Sequence, residues 1–226
     1  MFLFLLGCIV SGEPSGQNTS SVQWHEVGFN KARYAVDTSV KISIWSEGSE
    51  IGHGSGNHFS FYGSAFVLTA AHVIDSENEI YILDKDKKVG AKVAFVDFEA
   101  DIAILVPDDI LKTKAAKWRR SKSAKILGKD TMYAGYPSVY GKTLISGMVS
   151  SVIDDSAILI QSFALPGSSG SVVFDKSGRV LGVVSAVGVH QSPFSPYPSL
   201  QEDMVYVSTV GTLTDKRLLE VLKCAK

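Results

Sequence analysis

A series of short apolar runs with a period near two, beginning at about residue 40, constrains this fold more than any other feature of the chain. Glycine, serine, aspartate and proline residues separate the runs at fairly even spacing. Such a pattern favours an all-β sandwich or barrel over alternating strands and helices. The predicted strands are Val40–Trp45, Phe59–Leu68, Glu79–Leu83, Val89–Val96, Ile102–Val106, Asp130–Ala134, Thr143–Val152, Ala157–Gln161, Ser171–Phe174, Val180–Val187 and Met204–Val210.

Three further segments complete the predicted topology. Asp175–Gly178 lies between two apolar runs and predicts a hairpin turn. Thr214 is a suitable N-cap for a helix over Asp215–Cys224, whose leucine and valine residues form one apolar face. Residues 107–122 are expected to form a long linker between two barrel halves.

Composition and charge exclude several classes of protein. The chain has 226 residues, of which 45% are apolar and 20% charged, and this suits one large β domain or two small packed barrels. The formal net charge of −1 gives no reason to expect nucleic acid as a partner, and the basic stretch from Lys112 to Lys125 is expected on a solvated connection. The two cysteines, Cys8 and Cys224, exclude a framework held by several disulfides.

Residues 1–35 are expected to form a signal-like segment and a tether ahead of the folded domain. The apolar run before Cys8 is too short to span a bilayer, but it is similar to the end of a bacterial lipoprotein signal, in which Cys8 would be lipidated. No basic residue precedes the run, so a mis-assigned start or a frayed apolar tail is the alternative. A location outside the cytoplasm or on a membrane is favoured, and a cytoplasmic location stays open.

The segment Gly167-Ser168-Ser169-Gly170-Ser171 has the composition that an attacking serine needs. Small residues allow a tight turn on which a substrate peptide can approach closely and backbone N–H groups can converge on its carbonyl oxygen. We therefore predict Ser169 as a nucleophile, with an oxyanion hole formed by the N–H groups of Gly167 and Ser169.

Two earlier segments offer a base and an acid for this serine. His72 follows the apolar strand that ends in Thr69-Ala70-Ala71, and Asp101 opens the apolar run over Ile102–Val106. A triad needs an imidazole to accept the serine proton and a carboxylate to orient that imidazole, so His72 and Asp101 are predicted for these roles. Asp97 and Glu99 compete with Asp101 but fit an exposed turn better.

The remaining histidines do not indicate a metal site. Their spacing matches no pattern of metal ligands, and the chain has no cysteine cluster, so neither a metal nor another cofactor is expected. We expect all four on loops or at the surface, with His190 near the substrate cleft. They are His25, His53, His58 and His190.

Taken together, these motifs resemble the chymotrypsin-like (trypsin-like) serine peptidases, and within them the bacterial HtrA-type and glutamyl-endopeptidase-type branches. The likeness covers residues 36–224 and rests on the motifs at 69–73, 101–103, 146–150, 166–171 and 182–186. It implies an all-β domain over residues 36–226, made of two packed six-stranded antiparallel Greek-key barrels and a C-terminal helix. Barrel one would cover about 36–110, barrel two about 123–212 and the helix 214–224.

The sequence also departs from the family pattern. Ser168 precedes the candidate nucleophile where many relatives have aspartate, so activation through a newly cut N-terminus is not expected. Ser171 stands where the family often has a second glycine, a change that the glutamyl branch tolerates. The disulfides of the family and the PDZ modules of the HtrA branch are not found in this sequence.

The resemblance also assigns the walls of a substrate pocket. In this family they come from the segment before the nucleophile and from the strand after it. The matching residues here are Phe163, Ala164, Leu165, Ser185, Ala186 and Val187. This lining has no acid to pair with a substrate lysine or arginine, and Val184 stands where the glutamyl branch has a histidine. We expect a preference for a small or medium apolar residue on the acyl side of the cleaved bond.

Three functions remain at this point. The first is a serine endopeptidase that acts on protein or peptide substrates through His72, Asp101 and Ser169. The second is an inactive peptide-binding module on the same fold, although all three candidate residues are present. The third is an esterase of the α/β-hydrolase type, which is disfavoured because it needs alternating helices and the chain order Ser, Asp, His. The oligomeric state is open.

Overall fold

The computed structural model describes residues 32–74, 77–121, 125–137, 140–190 and 199–225, and the structural statements below refer to these residues. Thirteen strands and two α-helices account for most of them. The strands are β1 (Ser39–Ser46), β2 (Ser49–Phe61), β3 (Ser64–Thr69), β4 (Glu79–Asp84), β5 (Lys87–Asp97), β6 (Ile102–Pro107), β7 (Ala116–Lys117), β8 (Asp130–Gly135), β9 (Thr143–Val152), β10 (Ala157–Gln161), β11 (Val172–Asp175), β12 (Val180–His190) and β13 (Ser199–Thr209). The helices are α1 (Ala32–Thr38) and α2 (Asp215–Cys224).

The first six strands form barrel one. Around it the strands follow the order β1, β4, β5, β6, β3 and β2, and a pairing between β1 and β2 closes the ring. All of these pairings are antiparallel. The short strand β7 adds to β2 in parallel and joins the linker to this barrel.

The later strands form barrel two, which closes in the order β10, β13, β12, β11, β8 and β9. These pairings are also antiparallel. The predicted fold of two six-stranded barrels followed by a helix is therefore confirmed.

Three apolar clusters stabilise this arrangement. One lies within barrel one around Ile42 and Leu105, and another lies within barrel two around Tyr133 and Ile160. The third joins β2 and β3 of barrel one to β11 and β12 of barrel two, and it includes Leu218 and Leu222 of α2. The two barrels therefore share a buried core as well as having their own, and this fixes how they face each other.

One predicted strand, Phe59–Leu68, is wrong, because this segment contains the end of β2, a turn and then β3. The turn is made by Tyr62 and Gly63, whose φ angles are 46° and 77°. Glycine adopts such angles freely. Tyr62 is 80% exposed, so this residue, which the sequence pattern assigned to a strand, lies on a turn in contact with solvent.

Three elements were not predicted. Most of β2 lies in a glycine-rich polar segment, β7 lies within the expected linker, and α1 crosses the expected boundary at residue 36. The linker is otherwise irregular, and Lys112, Lys114 and Lys117 on it are exposed as expected. Trp118 on the same segment is buried between the barrels, so the connection is only partly solvated.

The predicted hairpin turn and C-terminal helix are confirmed. Asp175 accepts hydrogen bonds from the N–H groups of Ser177 and Arg179 in the turn between β11 and β12, where Gly178 has a φ of 72°. Thr214 caps α2 by accepting a hydrogen bond from Arg217 N–H at 3.2 Å. Cys224, at the end of α2, is an exposed free thiol.

None of the helices in the described ranges combines the length and the apolar character that a membrane crossing requires. The lipidation predicted for Cys8 falls outside the described residues.

Candidate active site

His72 lies directly after the strand that the sequence predicted to carry it. Strand β3 ends at Thr69, and a single 3₁₀ turn over Ala71–Val73 carries the imidazole to the surface, where its side chain is 46% exposed. Ala70 and Ala71 are fully buried, so small side chains hold the turn close to the barrel. The backbone of His72 is therefore held against the barrel, while its imidazole stays accessible to a substrate.

Asp101 lies at the start of β6 and faces this imidazole. Its Oδ1 and Oδ2 atoms are 3.0 and 2.9 Å from His72 Nδ1. The N–H of His72 also donates to Asp101 Oδ1 at 3.0 Å, and Ser185 Oγ on β12 donates to Oδ2. The carboxylate therefore fixes both the backbone and the ring of His72, and the role of Asp101 as an orienting acid stays a prediction.

The hydrogen bonds set the charge of Asp101. Burial raises the pKa of this carboxyl, but the hydrogen bonds from the His72 ring, from Ser185 and from the His72 backbone outweigh it, so the pKa lies below its usual value. Asp101 is therefore ionised at neutral pH, which is the state that can stabilise an imidazolium.

The candidate nucleophile lies in a tight loop between β10 and β11. Ser168 N–H donates to Leu165 O at 2.9 Å, and Ser171 N–H donates to Ser168 O at 3.0 Å. Gly167 and Gly170 have φ angles of 93° and 85°, which L-residues rarely adopt. Glycine is needed at both positions because the loop turns sharply on each side of Ser168 and Ser169.

Barrel one holds this loop from the other side. Ser55 N–H on β2 donates to Ser169 O at 2.8 Å. A Cβ atom added to Gly170 would lie 2.1 Å from Ser55 O and 2.2 Å from Thr69 Oγ1, so only glycine fits against the strands that lead to His72. The loop that carries Ser169 thus docks beside the turn that carries His72.

Within the segment Gly167–Ser171, two N–H groups have no acceptor among the described residues. They belong to Gly167 and Ser169, whereas the N–H groups of Ser168, Gly170 and Ser171 are all paired. Unpaired N–H groups two residues apart on one turn are what an oxyanion hole requires. Within the described part of the chain, Ser169 Oγ has no hydrogen bond to His72, and such contacts often shorten only when substrate binds.

The predicted pocket residues lie in the first part of this loop and on β12. Ala164 is buried, Leu165 and Val187 are half-buried, and Phe163 and Ala186 are exposed. Burial raises the pKa of Tyr133 to about 12, and its protonated hydroxyl donates to Phe163 O. Ser185 was predicted as a pocket wall, and the structure adds its hydrogen bond to Asp101.

The expectation that the other histidines lie on loops or at the surface is wrong for one of them. His58 lies on β2 and is only 5% exposed, with Nδ1 2.8 Å from Thr113 O. His53 also lies on β2, and its Nε2 is 3.3 Å from Tyr136 O. His190 ends β12, and His25 lies outside the described residues. The cause is the unpredicted β2, which converts an expected loop into a packed strand.

The imidazole forms its hydrogen bonds in the described structure with Asp101 and not with the competing acids. Asp97 ends β5 and caps the turn by accepting a hydrogen bond from Ala100 N–H at 3.0 Å, and Glu99 is exposed on that turn. Among the described residues, no group of three or more histidine, cysteine or acidic side chains could hold a metal ion.

Sequence reasoning missed the roles of Ser55 and Ser185. Ser185 is the one polar residue in the run from Val183 to Val187, and a lone serine in a buried strand needs a partner. Ser55 lies between Gly54 and Gly56, and an added Cβ on either glycine would be within 2.7 Å of a valine side chain. Glycine on both sides of a serine was the available signal that this serine sits in a crowded place.

Comparison with known proteins agrees with the geometry. The family described as trypsin-like peptidase domain matches residues 54–183. The chain belongs to this family. It is 30% identical over 157 residues to the serine protease Do-like HtrA of Lactobacillus helveticus. This alignment covers 64% of this chain and 37% of that protein. The chain is 29% identical over 147 residues to a probable periplasmic DegP-like serine endoprotease of Pseudomonas savastanoi, and this alignment covers 62% of this chain and 30% of that protein.

The predicted resemblance to the HtrA branch is therefore confirmed, and the chain spans about a third of the length of these relatives. Solved structures support the fold. A serine endoprotease from Yersinia pestis has a TM-score of 0.67 at 20% identity, and the match covers 88% of this chain and 68% of that one. A protease from M. tuberculosis in its active form has a TM-score of 0.68 at 21% identity, with 94% of each chain covered.

Proposed function

We propose that this protein is a serine endopeptidase that hydrolyses peptide bonds in protein or peptide substrates. The observation that carries the proposal is the pair of hydrogen bonds, 3.0 and 2.9 Å long, between the Asp101 carboxylate and His72 Nδ1, next to the loop of Ser169. Membership of the trypsin-like peptidase family and the names of the relatives support it.

In the proposed reaction, Ser169 Oγ attacks the carbonyl carbon of the substrate while His72 Nε2 accepts the serine proton. Asp101 holds the proton on Nδ1 and stabilises the imidazolium that forms. His72 then passes the proton to the leaving amine, and the peptide C–N bond breaks to leave an acyl-enzyme. Water, deprotonated by the same imidazole, hydrolyses the ester and restores Ser169.

The N–H groups of Gly167 and Ser169 are proposed to bind the oxyanion in both steps. Each is unpaired within the described residues, so neither has to leave another acceptor before binding the developing charge. One such donor typically contributes about 3 kcal/mol to transition-state stabilisation.

Reaction with a fluorophosphonate tests the nucleophile. We expect the wild-type protein to be labelled once per chain at Ser169, and we expect Ser169→Ala to abolish labelling. Ser171→Ala is the matched control, because it removes a hydroxyl from the same loop that has no partner among the described residues. A folded wild-type protein that is not labelled would instead favour an inactive peptide-binding module.

A second proposal concerns specificity: the pocket takes a small or medium apolar side chain on the acyl side. Its support is the apolar lining of Phe163, Ala164 and Val187, which contains no acid. Val184, at the position where the glutamyl branch has a histidine, is apolar and buried. A peptide library cleaved by the wild-type protein should show alanine, valine or leucine before the cut. Strong cleavage after lysine, arginine or glutamate would overturn this part and leave the triad proposal intact.

Lipidation of Cys8 stays a prediction from sequence. Mass spectrometry of the native N-terminus should find a lipid-bearing Cys8 if the signal is used. An intact Met1 would contradict it.

A further inference from the structure

We propose that Ser55 is a positioning residue that holds the backbone of the nucleophile loop so that its two proposed oxyanion-binding N–H groups keep their working orientation. This inference rests on the proposed function and adds a residue that belongs to neither the triad nor the pocket. Ser55 lies on β2 of barrel one and is fully buried.

The first argument concerns the two carbonyl groups to which Ser55 donates hydrogen bonds. Its N–H donates to Ser169 O at 2.8 Å, and its Oγ donates to Gly167 O at 2.7 Å. Gly167 and Ser169 are the two residues whose N–H groups are proposed to bind the oxyanion. One serine therefore fixes the carbonyl of each residue whose N–H group must point at the substrate.

The second argument is that the Ser55 hydroxyl is itself held in place. Its Oγ accepts a hydrogen bond from Tyr136 N–H at 2.8 Å, directly after β8. The carbonyl of Ser55 accepts from Thr69 Oγ1 at 2.8 Å, at the end of the strand that leads to His72. Ser55 thus links the base-bearing side of barrel one, the nucleophile loop and β8 through four hydrogen bonds.

The third argument is that the loop needs such a restraint. Gly167 has no side chain and can rotate between several backbone states that other residues cannot reach. If the half-buried Gly167 loses the Ser55 hydroxyl, its carbonyl has no other donor among the described residues, and rotation of the peptide towards another donor becomes favourable. The Gly167 carbonyl belongs to the peptide group that carries the Ser168 N–H. Its rotation would break the bond from Ser168 N–H to Leu165 O and turn the backbone that lies between the two proposed oxyanion donors.

The site also has little space for a substitute. A Cβ atom added to Gly135 on β8 would lie 2.8 Å from Ser55 Oγ and 2.1 Å from Ser171 Oγ. A larger side chain at position 55 would therefore push β8 or the loop away. Ser55→Ala is the variant to test, because it removes only the hydroxyl and keeps the N–H that binds Ser169 O.

Ser39→Ala is the matched control. Ser39 is also a fully buried serine of barrel one, and its Oγ has no partner among the described residues. It has no hydrogen bond from its side chain to the nucleophile loop in the described structure. Both variants lose one buried hydroxyl, but only the Ser55 hydroxyl binds Gly167 and Tyr136.

The first readout is steady-state kinetics on a peptide substrate, with active sites titrated by a fluorophosphonate. We expect Ser55→Ala to lower kcat about 100-fold with KM within threefold of wild type, as expected for loss of an interaction made in the transition state. Ser39→Ala should stay within threefold for both constants. Equal kcat values for titrated Ser55→Ala and wild type would overturn the inference, whatever their stabilities.

The second readout does not need activity. Residue-resolved amide hydrogen exchange should become at least tenfold faster at Tyr136, Ser168 and Gly170 in Ser55→Ala and stay unchanged there in Ser39→Ala. Unchanged exchange would overturn the inference on its own. If exchange is faster in Ser55→Ala but the wild-type protein never reacts with fluorophosphonate, the positioning role is kept and the proposed function is rejected.

Discussion

Asp101 combines an unusual backbone conformation with four hydrogen bonds to its carboxylate. Its φ of 49° lies in the left-handed region, which aspartate and asparagine enter more readily than most residues. This conformation turns the carboxylate back from the start of β6 towards the His72 ring and backbone. The same residue type therefore suits both the turn and the chemistry.

Replacing Asp101 with asparagine should separate these two contributions. Asparagine keeps the shape and tolerates the same φ, so the circular dichroism spectrum should not change. It cannot hold His72 in the required tautomer, and kcat should fall on the order of 10⁴-fold. The measurement is kcat with titrated active sites.

Asp97→Asn is the control for this prediction, because Asp97 lies near Asp101 in sequence and caps a turn without contacting the imidazole. It should leave kcat within about threefold of wild type. If Asp97→Asn caused the large loss and Asp101→Asn did not, the assignment of the acid would be wrong.

The three candidate catalytic residues could be predicted from sequence because each lies in a local pattern: a strand before the histidine, a strand after the aspartate and small residues around the serine. Ser55 and Ser185 could not be predicted in the same way. Their partners, Gly167 and Asp101, are far away in sequence, and only the docking of two barrels brings them together.

Among the strands, β2 shows where pattern reading fails. Its first ten residues include three glycines and only one large aliphatic residue, Ile51, so they show neither the alternation nor the β-propensity of a strand. The glycines are required by close packing, since a Cβ on Gly54 or Gly56 would contact Val73 or Val67 at under 3 Å. Tertiary contacts between strands, which a local pattern does not record, decide this segment.

The link between β4 and the inter-barrel linker depends on a buried charge. Asp84 ends β4 and is fully buried, and it accepts hydrogen bonds from Lys112 N–H, from Thr113 N–H at 2.8 Å and from Thr113 Oγ1 at 2.5 Å. Burial raises the pKa of Asp84, but these hydrogen bonds outweigh it, so the pKa lies below its usual value.

We expect Asp84→Asn to lower the free energy of unfolding at pH 7 by about 2 kcal/mol, because an amide cannot accept all of these hydrogen bonds. The folded pKa is lowered, so the contribution of Asp84 is complete above its unfolded pKa of about 3.9 and is lost as pH falls through the folded value. Urea unfolding from pH 7 to pH 2 should show the two proteins converging in acid.

Asp109→Asn is the control for the linker anchor, since Asp109 lies nearby but is mostly exposed and pairs with Lys87 at the surface. Its midpoint of urea unfolding should stay close to that of wild type. A difference between Asp84→Asn and wild type that did not shrink below pH 4 would contradict the role of the charge.

The two barrels are joined by aromatic residues rather than by a thin hinge. Phe59 of β2 stacks on Phe66 of β3 with ring centroids 5.5 Å apart, and it contacts Trp118 of the linker at 5.4 Å and Phe174 of β11 at 6.1 Å. Because one cluster contains side chains of both barrels, neither barrel can lose its fold without exposing part of the other.

We therefore expect the chain to unfold in a single cooperative transition, with a calorimetric enthalpy equal to the van't Hoff enthalpy. Phe174→Ala should lower the free energy of unfolding by about 3–5 kcal/mol and keep one transition. Phe98→Ala, at a 70% exposed position on the turn after β5, should have little effect. Two separate heat-capacity peaks in the wild-type protein would contradict the shared core.

The division of the proposed catalytic groups between the two barrels matters for the cell that makes the protein. The ribosome releases the imidazole and the carboxylate early, whereas the attacking hydroxyl and the strand bearing Ser185 emerge only later. A half-made chain therefore has no working centre with which to cut neighbouring nascent proteins. Under the proposed chemistry, the hazard begins only after the strands of barrel two have been made.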